Sequence, residues 1–147
     1  MVHFRTEILA PASAAETFEY LSRFSNASEW DPGVRAGEML TDEPIRLGSR
    51  FLLLTGFATR TVRLEYEIID FAPPTRIVLR AENSFLRSTD TIAVNTLGSG
   101  ALVVYDSLLE PIRPCRIADP LLGWWFARLG NRAAGGLRRV LNAVEHP

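Results

Sequence analysis

The chain has 147 residues, of which 47% are hydrophobic and 22% are charged, and its formal net charge is −1. These ordinary values predict one globular domain over residues 1–147, and they exclude a disordered or collagen-like chain. The near-neutral balance provides no general attraction to nucleic acid or to an anionic membrane.

A few further features bear on the compartment and the source. Cys115 is the only cysteine, so the chain has no internal disulfide framework. Residues 1–9 carry charges within their apolar run and do not resemble a signal peptide. The apolar stretch 120–129 is about half as long as a bilayer span. We therefore expect a cytoplasmic protein without stable membrane insertion. All 16 basic residues are arginine, which favours a GC-rich bacterial source.

The first predicted elements are a strand and a helix. Residues 2–9 alternate in polarity, which indicates a strand with one apolar face formed by Phe4, Thr6 and Ile8. Ser13 and Glu16 have the spacing of a capping box and predict that a helix begins here.

A second short helix is predicted directly after the first. Asn26 stands three residues before Glu29, which is the spacing of another helix start. Pro32 limits this helix to about one and a half turns, because the residue before a proline disfavours the helical conformation. The two short helices, joined at Ser25, form a helical corner.

From Gly48 onward the sequence is typical of β structure. Residues 61–69 alternate strictly, and their inward side chains are Val62, Leu64, Tyr66 and Ile68. Such alternation is typical of an antiparallel strand with one solvated face. Turns at Pro73–Pro74 and at residues 98–100 separate further strands. The spacing predicts a sheet of about six to seven antiparallel strands.

The last predicted element is a long helix. Asp119 suits its N-cap and Pro120 its first position. An apolar stripe then runs along one face, formed by Leu122, Phe126, Leu129, Ala133, Leu137, Val140 and Val144. Because the sheet offers the only apolar surface of matching size, the sequence predicts an α+β fold in which a curved sheet wraps around this helix.

Several segments resemble the helix-grip (SRPBCC) superfamily, which includes START lipid-transfer domains, the birch-pollen allergen fold and bacterial polyketide cyclase/dehydrase-like proteins. They are residues 10–12, 24–32 and 70–76, the glycine turn at 98–100 and the closing helix. The likeness covers nearly the whole chain and is greatest to the bacterial cyclase-like branch. It implies a cavity between sheet and helix that opens toward the two short helices.

The resemblance and the inward-facing pattern together yield a set of candidate ligand-binding residues. They are Trp30, Leu64, Tyr66, Leu79, Thr91, Val103, Tyr105, Ser107, Trp125 and Leu129. Trp30 forms either a pocket wall or a cap on the core. The hydroxyls of Tyr66 and Tyr105 need a partner if they are buried, which is either a bound guest or another side chain or water. Thr89 and Thr91 are assigned to the face that carries Tyr105.

Two features of the last helix have open alternatives. Gly135 and Gly136 are unfavourable in a helix interior, so they indicate a close approach of the helix to the sheet, room left for a ligand, or a kink. Arg128, Arg132 and Arg139 share one face. This basic face is either solvated or meets an anionic head group or protein partner.

The inventory of catalytic residues is poor. The only histidines, His3 and His146, lie at the chain ends, so no histidine-based triad, metal site or cofactor is predicted. No carboxylate pair for acid–base work is assigned to the apolar faces. An enzyme would act through pocket shape, tyrosine hydroxyls or a buried arginine such as Arg80.

Three functions follow as hypotheses. The first is binding of a small hydrophobic, lipid- or polyketide-like ligand. The second is an enzyme of the cyclase, aromatase or dehydratase kind, and the third is a regulatory or protein-interaction module. No feature specifies the ligand or the oligomeric state.

Overall fold

A computed structural model of the chain describes residues 2–57, 60–83, 86–112 and 132–142. Seven strands, three α-helices and one 3-10 turn follow one another through these residues. In chain order they are β1 (Val2–Ala10), α1 (Ala14–Ser22), the 3-10 turn (Phe24–Asn26), α2 (Ala27–Trp30), β2 (Val34–Met39), β3 (Arg50–Phe57), β4 (Arg60–Ala72), β5 (Arg76–Glu82), β6 (Leu86–Leu97), β7 (Gly100–Pro111) and α3 (132–142).

The seven strands form one antiparallel sheet with the order β1-β7-β6-β5-β4-β3-β2, which curls into a half-barrel. Its concave face carries the most deeply buried side chains, each at most 1% exposed: Ile8, Phe51, Ile68, Ile77, Leu79, Ile92, Val94 and Val103. The register places them on the same side of the sheet, since paired residues on neighbouring strands share a face. The alternation predicted for residues 61–69 is confirmed.

Strand β2 was not predicted, because the sequence pattern indicated β structure only from Gly48 onward. The strand is short, lies at the sheet edge and has a register shift between Val34 and Ala36, so its alternation is broken. The packing of β2 explains why glycine occupies position 37. A Cβ at this position would overlap the backbone of Ser25, so glycine lets β2 approach the 3-10 turn closely.

The helical corner is confirmed, and both helices begin at the predicted residues, but only the first has a side-chain cap. Ser13 Oγ accepts a hydrogen bond from the Glu16 N–H at 3.2 Å, which is the cap, and it also donates one to Glu16 Oε1 at 3.2 Å. Asn26 makes no side-chain cap. Its Nδ2 donates instead to the Tyr20 carbonyl at 2.9 Å and ties α1 to the turn that follows it.

Helix α3 lies against the concave face. Leu137 and Leu141 are each 1% exposed and belong to the same core as the sheet residues, and Ala133 and Val140 pack on that core. The predicted stripe is therefore confirmed over 132–142, while its earlier part, the Asp119 cap and Val144 lie outside the described residues. A curled sheet that holds a C-terminal helix is the helix-grip α+β fold that the sequence predicted.

Candidate functional site

A buried carboxyl group occupies the concave face of the sheet. Asp90 on β6 lies between Ser107 on β7 and Leu79 on β5 in the strand register, and it is 4% exposed. Tyr105 Oη donates to Asp90 Oδ2 at 2.5 Å, and Ser107 Oγ donates to Oδ1 at 2.8 Å. Ser88 Oγ donates to Oδ1 at 3.3 Å. Three hydroxyls therefore converge on one carboxyl group inside an apolar face.

A second tyrosine joins this group through Ser88. Tyr66 on β4 pairs with Ala81 on β5, and Ala81 pairs with Ser88 on β6. Because alanine projects only a methyl group, the Tyr66 phenol can extend over it, and its hydroxyl donates to Ser88 Oγ at 3.1 Å. The five side chains of Tyr66, Ser88, Asp90, Tyr105 and Ser107 thus form one hydrogen-bonded cluster, called the polar cluster below.

Burial governs the ionisation of the polar cluster. It raises the pKa of Asp90, and the hydrogen bonds from Tyr105, Ser107 and Ser88 oppose that rise. Burial, together with the charge of Asp90, raises the pKa of Tyr66 and Tyr105 well above the usual value for a phenol. Both phenols therefore keep their protons and act as hydrogen-bond donors at neutral pH.

Two aromatic side chains from the helical corner cover the polar cluster. Phe24 packs edge-on against Tyr66, with ring centroids 4.9 Å apart, and Trp30 packs edge-on against Tyr105 at 5.5 Å. Trp30 is 4% exposed and belongs to the core. It therefore caps the core and covers the polar cluster, while its role as the wall of a ligand pocket stays a prediction.

An open cleft of about 490 Å³ lies between α2 and α3. Its lining residues are Ser28, Glu29, Trp30, Asp31, Pro32, Val34, Arg132, Gly135, Gly136 and Arg139. Burial raises the pKa of Asp31 to about 6; the Gly33 N–H lowers it, and the charge of Asp90 adds to the rise. A volume of this size falls within the range of small-molecule sites in proteins.

The two helical glycines of the cleft have different surroundings. A Cβ on Gly136 would overlap the carbonyl group of Trp30, so glycine is needed for α3 to pack on α2. The close approach is therefore to α2 rather than to the sheet. A Cβ on Gly135 would meet nothing within 4 Å, so this position faces open space. The expected approach to the sheet is therefore wrong for Gly136, and room for a ligand at Gly135 stays a prediction.

Six of the ten candidate ligand residues lie together around the polar cluster: Trp30, Tyr66, Leu79, Val103, Tyr105 and Ser107. Leu64 is half-buried farther along β4 and packs against the core. Thr91 pairs with Val78 and Asp106 and therefore lies on the opposite face of the sheet. Trp125 and Leu129 lie outside the described residues.

The prediction that Thr89 and Thr91 share the face of Tyr105 is wrong, and the same error hid Asp90. Tyr105 pairs with Ile92, so the residues of β6 on its face are Ser88, Asp90, Ile92 and Val94. Residues 87–91 are polar in both phases of the alternation, so that segment does not show which phase is buried. The apolar residues Ile92 and Val94 could have shown which face is buried. Alternate residues of a strand share a face, so Asp90, two residues before Ile92, lies on the buried face as well.

The tyrosine hydroxyls have protein partners, which was one of the alternatives considered. Within the described residues, no group of three or more His, Cys, Asp or Glu side chains has the arrangement of a metal site. His3, on the exposed part of β1, contacts Asp106 at 2.8 Å. Over the same described ranges, none of the helices is both long enough and apolar enough to cross a bilayer.

The curled sheet and the helix that it holds define a START-like, Bet v 1-like helix-grip fold. The chain belongs to the polyketide cyclase / dehydrase and lipid transport family, whose model matches residues 1–142. The fold and family are those of proteins that bind hydrophobic ligands or cyclise polyketides. No curated protein matches the chain in sequence.

Three solved structures illustrate the similarity. A START superfamily protein from Mycobacterium smegmatis aligns with a TM-score of 0.76 at 15% identity, over 95% of this chain and 96% of that one. A Thermus thermophilus protein aligns at 0.78 and 16% identity, over 97% and 98% of the two chains. The Zhui aromatase/cyclase of a Streptomyces species aligns at 0.74 and 12% identity, over 95% and 90%. At these identities the likeness concerns the fold alone.

Proposed function

We propose that the protein binds a small apolar molecule carrying one or two oxygen atoms, between the concave face of the sheet and the C-terminal helix. The observation that carries this proposal is the polar cluster around Asp90, which is embedded in an otherwise apolar surface. Small-molecule sites are typically apolar with a few placed polar groups. The family supports the proposal, because its description includes lipid transport.

The polar cluster has hydrogen-bonding capacity left for a guest. Tyr66 and Tyr105 each donate their single proton to a protein acceptor, while each phenolic oxygen can still accept a hydrogen bond. A guest hydroxyl that donates to one of these oxygens would add a bond without breaking the existing ones. The expected guest is therefore an apolar body with a hydroxyl group.

The affinity is expected to be modest. Burying about 400 Å² of apolar ligand surface contributes about 10 kcal/mol at the usual coefficient. Lost translational and rotational freedom opposes binding by about 4 kcal/mol or more. The difference of about 6 kcal/mol corresponds to a dissociation constant of tens of micromolar, which is the tight end of the expectation.

A displacement assay tests the proposal. The neutral fluorophore N-phenyl-1-naphthylamine is bound to the protein and displaced with 1-naphthol or with naphthalene, which differ by one hydroxyl group. Because one hydrogen bond contributes about 0.5 to 1.5 kcal/mol, wild type should prefer 1-naphthol by about two- to thirteenfold. The Tyr66→Phe, Tyr105→Phe double variant should lose this preference and retain its affinity for naphthalene.

Tyr20→Phe is the matched control, because Tyr20 is the remaining tyrosine and its hydroxyl bonds Glu29 at 2.6 Å, away from the polar cluster. This variant should keep the wild-type preference. Absence of fluorophore binding by folded wild type would overturn the ligand-binding function and favour the interaction-module alternative. Equal loss of preference in Tyr20→Phe would show that the polar cluster does not contact the guest.

A second candidate function is acid–base catalysis on the bound molecule, of the cyclase, aromatase or dehydratase kind. The pairing of the Asp90 carboxyl with the Tyr105 hydroxyl favours it, because a buried carboxyl with a raised pKa can exchange a proton with a reacting oxygen. Asp90→Asn should then abolish dehydration of a β-hydroxy ketone while fluorophore binding persists. Unchanged turnover in this variant would exclude Asp90 as the acid–base group.

A further inference from the structure

One face of α3 has two arginines separated by two glycines. Arg132 and Arg139 are seven residues apart, about two helical turns, so their side chains leave the helix on the same side. Gly135 and Gly136 lie between them and have no side chains to fill the interval. Packing against Trp30 requires Gly136, but no contact requires Gly135, which faces open space. The helix therefore leaves a gap between two cations, and that gap is part of the cleft.

The charged groups of the cleft differ in their bonding. Glu29 Oε1 accepts the Tyr20 hydroxyl at 2.6 Å, and Asp31 Oδ1 accepts the Gly33 N–H at 2.8 Å. Across 2–57, 60–83, 86–112 and 132–142, neither Arg132 nor Arg139 makes a side-chain hydrogen bond or ion pair. Both acids thus accept hydrogen bonds from the protein, whereas neither guanidinium group has an acceptor among the residues that the structure describes. A guanidinium group pairs with a carboxylate through two parallel hydrogen bonds.

The geometry points to a binding site for the carboxylate of an amphipathic acid, held between Arg132 and Arg139. This inference rests on the proposed function, because the apolar part of the same molecule would occupy the interior. Trp30 and Val34 line the cleft and also belong to the hydrophobic core, so the cleft adjoins that interior. A carboxylate is costly to bury among apolar groups, whereas in the cleft it stays beside solvent and between the two guanidinium groups, with Glu29 and Asp31 on the same lining.

A matched pair of ligands tests the inference. Decanoate and decan-1-ol have the same chain and differ in their polar end, and each is used to displace N-phenyl-1-naphthylamine from the full chain at constant ionic strength. Wild type should bind decanoate about tenfold more tightly than decan-1-ol. The Arg132→Gln, Arg139→Gln double variant should bind both with similar affinity, with decan-1-ol unaffected. Arg138→Gln is the control, since Arg138 is exposed on the same helix and does not line the cleft, and it should retain the tenfold difference.

A second variant tests the site without removing an arginine. Gly135→Glu adds a carboxylate at a position where a Cβ meets nothing within 4 Å, and it should weaken decanoate binding about tenfold while leaving decan-1-ol unchanged. Equal displacement by the two ligands in wild type would overturn the carboxylate site and leave the proposed function intact. Failure of wild type to bind the fluorophore at all would overturn the proposed function itself. A tenfold preference that persists in the double variant would place the carboxylate elsewhere.

Discussion

The Tyr105 hydroxyl donates a hydrogen bond of 2.5 Å to Asp90 Oδ2 across neighbouring strands, and neither side chain is more than 8% exposed. Tyr66, on the far side of Ala81, reaches the same cluster only through the neutral Ser88 hydroxyl at 3.1 Å. The two tyrosines therefore have unequal partners, although both lie on the concave face.

This inequality predicts unequal stability losses. Tyr105→Phe should destabilise the protein by about 1.5 to 3 kcal/mol, because it leaves a buried carboxyl group with one donor fewer. Tyr66→Phe removes a bond to a neutral hydroxyl and should cost about 0.5 to 1.5 kcal/mol. Urea unfolding followed by circular dichroism measures both values. The reverse order would show that Asp90 does not depend on Tyr105 as the geometry indicates.

The adjacent glycines of α3 should respond in opposite directions to alanine. Gly135→Ala should stabilise the protein by up to about 1 kcal/mol, because alanine is the better helix former and its methyl group meets nothing. Gly136→Ala should destabilise by about 1 to 3 kcal/mol, because its methyl group overlaps the Trp30 carbonyl and α3 must shift. Thermal unfolding of the two variants side by side is the measurement. Equal shifts in Tm would contradict the packing of α3 on α2.

Asp31 predicts a specific dependence of stability on pH. Burial raises its pKa from 3.8 to about 6, so between these values the folded chain keeps a proton that the unfolded chain has lost. The stabilisation by the neutral carboxyl is complete below about pH 4 and is lost as the pH rises through about 6. The partly exposed position reduces the effect to about 1 to 2 kcal/mol.

Asp31→Asn isolates this effect, because asparagine does not titrate and keeps an oxygen for the Gly33 N–H. The free energy of unfolding of the variant, relative to wild type, should increase from pH 4 to pH 7. Denaturant titrations at four or five pH values provide the comparison. Parallel pH profiles would rule out a raised pKa at Asp31.

The role of the Asn26 side chain can be tested by replacing its amide nitrogen with oxygen. Asn26→Asp keeps a good capping residue but removes the Nδ2 donor to the Tyr20 carbonyl, and it sets a negative charge against that oxygen. A loss of about 1 to 3 kcal/mol in unfolding free energy is expected. Ser13→Ala removes the side-chain cap of α1 and should lower the free energy of unfolding by about 1 kcal/mol. If Asn26→Asp left the free energy of unfolding unchanged, the result would favour a capping role for the Asn26 side chain.

Much of the fold was predictable because its signals are local. The alternation over 61–69, the capping box at Ser13 and the apolar stripe through Leu137 each follow from the periods of strands and helices. The edge strand β2 was not predictable in this way. A register shift breaks its pattern, and Gly37 is explained only by a distant contact with Ser25.

The sequence by itself determined the class of fold, the concave positions of Tyr66 and Tyr105, and the basic character of the last helix. Only the tertiary structure decided which phase of β6 is buried, and with it the role of Asp90. Register is a relation between strands, and residues 87–91 are polar in both phases, so the partner strands had to select one. The tertiary structure also separated Gly135 from Gly136. Two identical residues on one helix differ only in what lies opposite them, and for Gly136 that is the backbone of Trp30.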